Sequence, residues 1–243
     1  SMLSSDEKLR YDGQMIINGF GEAGQEKLKR ARVVIAGAGG LGSPVAIYLA
    51  AAGIGNLRII DHDRVGLSNL NRQILHWDKD IGQKKAESAT EKLSKINGNV
   101  NIEPINDTIV ETNVAKLTRD CDVIVDAMDN LPTRFLLNQN AIEYGIPFVH
   151  GAVYGLEGRV MTIIPGKTAC LGCMYRGAPP KVKFPVLGTT PGIIGMIQAT
   201  EVIKLITGIG ELLTNRLLIY DGRSMKFYEI QIKRHPECKY CCS

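Results

Sequence analysis

No run of apolar residues in this 243-residue chain approaches the roughly 20 needed to span a bilayer, and no secretory signal opens it. Lysine and arginine form no block. The 29 basic residues against 25 acidic ones leave a formal charge of +4, spread along the chain, which argues against a nucleic-acid or anionic-membrane surface. Internal repeats and low-complexity tracts are lacking too, so no solenoid is indicated. These absences point to a soluble, cytoplasmic chain forming one large α/β domain, long enough to bury a core. Met2 reads as the natural initiator, with Ser1 an extra residue before it.

What is present concentrates between residues 33 and 85. An apolar strand, Val33-Val34-Ile35-Ala36, runs into Gly37-Ala38-Gly39-Gly40-Leu41-Gly42, and a second strand, Leu57-Arg58-Ile59-Ile60, ends on Asp61. Gly37 permits the tight turn, Gly39 lets backbone approach phosphate oxygens, and Gly42 lets the following helix pack close to the strand. A helix over residues 40–52 then points its first N–H groups at an anion. Asp61 falls roughly 20 residues past the last glycine, where an acid at the second strand's tip binds ribose hydroxyls. Beyond it come Asp63, Ser68-Asn69-Leu70-Asn71-Arg72-Gln73 and Lys85. The glycines alone indicate a nucleotide; the Asn, Arg and Lys downstream indicate a triphosphate.

Further along, strands alternate with helices. Ser4-x-x-Glu7 and Thr108-x-x-Glu111 read as capping boxes, a helix runs from Lys85 to about Ile96, and strands fall at 100–105 and 122–126. Asp129-Asn130 opens a helix ending near Gly145. Such repeats predict a right-handed, Rossmann-like, mostly parallel sheet covered on both faces. From Phe148 onward, segments 147–153, 159–165, 216–220 and 226–233 read as mixed or antiparallel strands. A long helix is capped by Thr190, with Pro191 in its first turn and Gly208 at its end. Residues 1–30 form an N-terminal helical segment, 31–150 a nucleotide-binding half and 151–243 a second half, in which 176–190 is the best candidate for a mobile loop.

Cysteine usage is the second strong signal. Cys170-x-x-Cys173 and Cys238-x-x-Cys241 lie about sixty residues apart. Together they supply four thiolates for a closed, tetrahedral, structural zinc site, with Cys242 an alternative ligand or a spare. A redox reading needs one such pair at a helix N-terminus after a strand, and neither pair is expected there. Cys121, at the edge of an apolar strand, reads as a small buried residue. None of His62, His76, His150 and His235 sits in a ligand pattern, and none is assigned a role.

Taken together, Gly37-x-Gly-Gly-Leu-Gly42, Asp61-x-Asp63, Ser68-Asn-Leu-Asn-Arg-Gln73, Lys85, Asp129-Asn130 and the two cysteine pairs resemble the MoeB/ThiF family over nearly the whole chain. These proteins are relatives of the ubiquitin-activating enzymes and adenylate small ubiquitin-like sulfur-carrier proteins. The resemblance implies an adenylyltransferase that binds ATP through Gly37, Gly39, Gly40, Gly42, Asp61, Asp63, Asn69, Arg72, Gln73, Lys85, Asp129 and Asn130. Asp129 would hold Mg²⁺, Asn69, Arg72 and Lys85 would engage the triphosphate, and Gln73 would support the phosphate-binding loop. Residues 151–243 become the carrier-binding half. The implied partners are a carrier ending in Gly-Gly, a separate sulfur donor such as a cysteine desulfurase or rhodanese, and a second copy of the chain. Molybdopterin and thiamine biosynthesis share this chemistry.

The chemistry fits. A protein C-terminal carboxylate, with a reference pKa of about 3.5, is already ionised at neutral pH. The enzyme's task is then positioning and charge neutralisation, for which Arg72, Lys85 and Asp129 suffice.

Two departures stand out. The family's Arg-Tyr-x-Arg-Gln segment sends its second Arg into the partner subunit's site, but here it reads Arg10-Tyr11-Asp12-Gly13-Gln14: either Arg10 or the loop's Lys181 and Lys183 supply that charge, or the chain adenylates slowly or on a variant substrate. Residues 181–190 also lack the cysteine that can link covalently to a carrier in ThiF. An NAD-dependent oxidoreductase, a tRNA threonylcarbamoyladenosine dehydratase-like enzyme and a non-catalytic binding module are the alternative readings. The first leaves Asn69, Arg72 and Lys85 without purpose; the second would show a basic tRNA surface and no double cysteine pair.

Overall fold

The alternation of strands and helices is realised in a computed structural model that describes residues 2–175 and 184–242. Strands β1 (Arg32–Ala36), β2 (Asn56–Ile60), β3 (Asn101–Ile105), β4 (Val123–Asp126) and β5 (Phe148–Tyr154) pair in parallel. Strands β6 (Glu157–Ile163), β7 (Arg216–Asp221) and β8 (Lys226–Gln231) extend the sheet in antiparallel fashion. The spatial order is β3-β2-β1-β4-β5-β6-β7-β8. Between β1 and β4 the order reverses, and such a switch point opens a crevice at the carboxyl ends of parallel strands.

Helices α1 (Ser5–Arg10), α2 (Asp12–Met15), α3 (Gly21–Arg30), α4 (Gly42–Ala52) and α5 (Lys85–Ile96) belong to the first half. They are followed by α6 (Val114–Leu117), α7 (Leu131–Tyr144), α8 (Leu171–Met174) and α9 (Thr189–Thr207). Alternate side chains of a strand face opposite ways, and β1 shows the consequence. Val33 and Ile35 join one core with Leu28, Leu49, Leu93 and Val202, while Val34 and Ala36 join a second with Leu137, Ala141 and Phe148. Helices α3, α4, α5 and α9 therefore cover one face and α7 the other. Leu49, Leu93 and Leu137 are fully buried, each contributing about 1.5–3 kcal/mol by leaving water. No helix of the described residues is long and apolar enough to cross a membrane.

Two expected helix starts are corrected. Ser4 and Glu7 do make a reciprocal capping box, but Thr108 caps nothing. Asn113 intervenes: its side chain accepts from the Val110 N–H at 2.9 Å and donates to the Thr108 carbonyl at 2.8 Å. That closes a turn where the box would have started a helix, and only the single turn of α6 follows. Thr190 does not cap α9 either. It lies one residue inside the helix, buried, and its hydroxyl donates to the Gly155 carbonyl at 2.8 Å. The expected mobile stretch 176–190 falls partly outside the described residues, as do Lys181 and Lys183. Its described part is pinned to β5 by a Val186–Gly155 bridge and a Gly155 N–H to Pro185 carbonyl bond of 2.7 Å.

One buried ion pair props the segment before α5. Asp80 and Lys92 meet at 2.5 Å with side chains 0% and 3% exposed. Burial works against the charged carboxylate, but the Lys92 ammonium and the Trp77 N–H outweigh it and hold the Asp80 carboxyl down at about 2. Its stabilisation is therefore complete above the ordinary carboxyl pKa of 3.8 and is lost as pH falls through about 2. Removing one partner strands the other charge in the core. Lys92→Met should destabilise the fold by roughly 3–5 kcal/mol, read from denaturant midpoints at neutral pH. A shift within experimental scatter would show that the pair carries no structural weight.

Candidate active site

Three parallel strand tips, β1, β2 and β4, converge on a solvent-open cleft. At the first tip Gly37 turns the chain with φ +114°, a conformation that favours glycine. Gly39 and Gly40 line the cleft, and Gly42 opens α4.

At the second tip Asp61 is tied into the turn. Its Oδ2 accepts the Ala38 N–H at 2.9 Å and its Oδ1 the Asp63 N–H at 2.8 Å. Asp63 and Lys85 also line the cleft, 3.9 Å apart. Lys85 is 7% exposed, so its ammonium is largely withdrawn from water beside the cavity. Arg72 reaches the rim, where its Nη1 donates to the Ser68 carbonyl at 3.1 Å and to Asn71 Oδ1 at 2.7 Å. Gln73 is buried next to Gly39, and its Oε1 finds no hydrogen-bond partner among the described residues. A buried amide in that state invites a ligand or a flip of its two ends. The third tip supplies Met128, Asp129 and Asn130. Asn130 N-caps α7 by accepting from the Thr133 N–H at 3.0 Å; Asp129 stays exposed at the mouth, within 3.4 Å of the Asn130 amide. Leu41, Ile60, Ile109 and Val153 give the cleft apolar walls.

Two expected site residues lie elsewhere. The Asn69 side chain accepts the Gly66 N–H at 2.9 Å, bracing the loop that carries Arg72 and not lining the cleft. Arg10 is exposed beside the Ile96 carbonyl, 3.5 Å away. That is the far end of the 12-residue α5 from Lys85, about 18 Å at 1.5 Å per residue. Within one chain, Arg10 does not reach the cleft.

No sequence pattern marks the buried network under the third tip. Asp126, 0% exposed, bonds His150 Nδ1 at 2.7 Å and forms an ion pair with the Arg134 guanidinium, whose Nε lies 3.3 Å away. His150 Nε2 faces the Tyr175 hydroxyl at 3.4 Å. Burial pushes the His150 imidazole below its ordinary pKa, the Asp126 carboxylate opposing. Two histidines passed over in the sequence, His76 and His150, thus prove to be fully bonded interior groups.

At the other end of the chain the four cysteines of the two pairs come together. Their sulfurs all lie within 4.8 Å of one another, Cys170–Cys238 at 3.7 Å and Cys173–Cys241 at 3.5 Å. Four sulfurs 2.3 Å from a tetrahedral zinc would be about 3.8 Å apart, so the cluster has the dimensions of such a site. Burial and the neighbouring sulfurs push the Cys241 thiol far up, the condition a bound divalent cation reverses. Contrary to the sequence expectation, Cys170 does sit at a helix N-cap, that of α8. Its partners in space nonetheless come from both pairs. Cys242, exposed, lies 3.7 Å from the Cys241 sulfur and donates its backbone N–H to the Cys238 carbonyl at 3.1 Å, and burial pushes the Cys121 thiol up to about 12.

The ThiF family model matches residues 11–240. The chain is 43% identical over 238 residues to the SAMP-activating enzyme E1 of Haloferax volcanii, covering 96% of this chain and 88% of that one. It is 40% identical to the molybdopterin-synthase adenylyltransferase of Escherichia coli, covering 98% of each. Some plant and insect relatives are longer, and the chain spans about half their length. Among solved structures it resembles E. coli MccB with ATP, with a TM-score of 0.89 at 26% identity, covering 98% of this chain and 75% of that one. The fold, the convergent cleft and these matches lead to one statement: the chain belongs to the ThiF family.

Proposed function

We propose that the chain adenylates the C-terminal Gly-Gly carboxylate of a small ubiquitin-like sulfur-carrier protein with ATP, releasing pyrophosphate. The convergence of Arg72, Lys85 and Asp129 on the glycine-turn cleft carries this reading. Relatives named as adenylyltransferases at about 40% identity support it. They count against an oxidoreductase or a tRNA-modifying enzyme.

A carboxylate oxygen of the carrier attacks the α-phosphorus, the bond to the bridging oxygen breaks, and its electron pair leaves with pyrophosphate. No proton needs to move, because the nucleophile is already ionised. The α4 N-terminus and the Gly39 and Gly40 backbone cradle phosphate, Asp61 takes the ribose hydroxyls, and Arg72 and Lys85 offset charge gathering on the phosphates. Asp129, an exposed carboxylate at the mouth, would hold Mg²⁺, which would neutralise charge on the leaving pyrophosphate. With no cysteine at 181–190, the acyl-adenylate would pass to a separate sulfur donor.

Asp129→Ala should cut carrier-dependent exchange of pyrophosphate into ATP on the order of a hundredfold, the scale for losing one preorganised electrostatic group, with the thermal midpoint unchanged. Exchange at the wild-type rate would remove Asp129 from the metal site.

Zn²⁺ fits the four-sulfur cluster. It would fasten the C-terminal tail to α8 and contribute to folding. About one Zn²⁺ per chain is expected in protein purified without chelator, and Cys238→Ser should lower both metal content and thermal midpoint. Metal analysis finding far less than one equivalent rejects the site.

A homodimer would complete the active site. Arg10 cannot serve its own cleft, and Leu9, Ile16 and Ile17 around it are exposed, as befits a surface covered by a second copy. A Cβ at Gly13 meets nothing within 4 Å, so an Arg fits there. Arg10→Ala should lower the adenylation rate at least about tenfold while barely changing ATP binding, as for a group acting on the transition state. Gly13→Arg should raise the rate. Silence of both changes would show that the N-terminal helices do not reach a neighbour's cleft.

A further inference from the structure

One buried side chain beside the cleft has no part in the chemistry above. His76, 3% exposed, follows Arg72 and Gln73 on the same segment. Its Nε2 lies 2.7 Å from the Ala38 carbonyl oxygen and its Nδ1 2.8 Å from Ser88 Oγ. A carbonyl oxygen only accepts, so Nε2 carries the proton. In the neutral ring Nδ1 then accepts, and the Ser88 hydroxyl donates to it. Ser88 Oγ in turn accepts from the Lys92 ammonium at 3.0 Å, whose other donors go to Asp80 Oδ2 and the Leu75 carbonyl. Every proton in this relay has one direction, from Lys92 through Ser88 and His76 into the glycine turn.

The end of the relay matters most. The Ala38 carbonyl belongs to the peptide joining Ala38 to Gly39. Across a trans peptide the C=O and N–H point opposite ways, and the described residues contain no cis bond. With the carbonyl drawn back onto His76, the Gly39 N–H points away from the imidazole, and Gly39 lines the cleft. The preceding peptide is fixed from the other side by the Ala38 N–H to Asp61 Oδ2 bond of 2.9 Å. His76 also donates its own backbone N–H to the Gln73 carbonyl at 2.9 Å, so the imidazole joins the Arg72–Gln73 segment to the turn. Burial disfavours the imidazolium; the Ala38 carbonyl and Asp61 oppose this, but Lys85 and Lys92 reinforce it, and the His76 pKa stays below its ordinary value.

We propose that His76 is a positioning residue for the nucleotide. As the neutral Nε2–H tautomer it holds the 38–39 peptide so that the Gly39 N–H is a preorganised donor to a phosphate oxygen. This rests on the ATP reading above.

The test uses two substitutions that each keep one of the ring's two bonds. Glutamine places an amide donor near the Nε2 position, whereas asparagine reaches only as far as Nδ1. His76→Gln should bind Mg-ATP within about twofold of wild type in calorimetry, and His76→Asn about tenfold more weakly, since it leaves the Ala38 carbonyl unpaired. Nitrogen NMR of the wild-type chain should find His76 neutral and protonated at Nε2. Equal weakening of the two variants, both shown folded by thermal unfolding, overturns the positioning role; so does a proton on Nδ1. Failure of the wild-type chain to bind Mg-ATP would instead overturn the nucleotide reading itself.

Discussion

A Cβ on residue 42 would lie 2.0 Å from the Gly37 carbonyl oxygen, and the architecture of the cleft depends on that contact. Only glycine lets α4 start hard against the turn leaving β1. The helix N-terminus then faces the space above the strand tips, where its unpaired N–H groups favour an anion. Because α4 begins there, Val45, Ala46 and Leu49 land on the sheet fully buried. Helix α9 packs beside α4 on the same face and sends Gln198 to the Asp126 carbonyl at 2.8 Å. One close backbone approach thus sets the position of a helix, its neighbour and the third strand tip.

That third tip is held by charge as well as by packing. Asp126 Oδ1 accepts the Met128 N–H at 3.0 Å, and Arg134 donates to the Met128 carbonyl. Both ends of one residue's backbone are therefore gripped, and the next residue is Asp129. A carboxylate at 0% exposure is costly unless paired; here Arg134 and His150 pair it. The outcome is a loop that presents Asp129 to solvent from a base that cannot drift. Preorganisation of this kind is what a positioning mechanism needs, since such a site supplies geometry and field and little covalent chemistry.

How much of this was legible in the sequence follows from how far apart the interacting residues are. The glycine turn, the Ser4–Glu7 box, the Asn130 cap and the strand–helix alternation are each settled within a few residues, and each appears where the pattern placed it. The double cysteine pair was legible because two C-x-x-C spacings display a set of four thiols directly, and the fold brings their sulfurs together. His76 and Ala38 are 38 residues apart, and Asp126 and His150 are 24 apart; only the folded sheet brings them together, and no local pattern marks them. Thr108 shows the opposite failure. Its local signal was genuine, but the Asn113 side chain ties the Thr108 carbonyl and the Val110 N–H into a turn, and side chains that close turns compete with helix starts.

The cysteine cluster and the nucleotide cleft are also less separate than their positions in the chain suggest. Asn138 on α7 accepts the Leu171 N–H at 3.0 Å, next to Cys170. Phe135, one turn nearer the cleft, stacks on Tyr240 between Cys238 and Cys241 at 5.4 Å and meets Tyr175 edge-on at 6.3 Å. Tyr175 reaches His150 in turn, and His150 holds Asp126. The helix whose cap is Asn130 is therefore clasped along one side by the elements that carry the four sulfurs. The four sulfurs and the Asn130 cap thus share α7 as a common support.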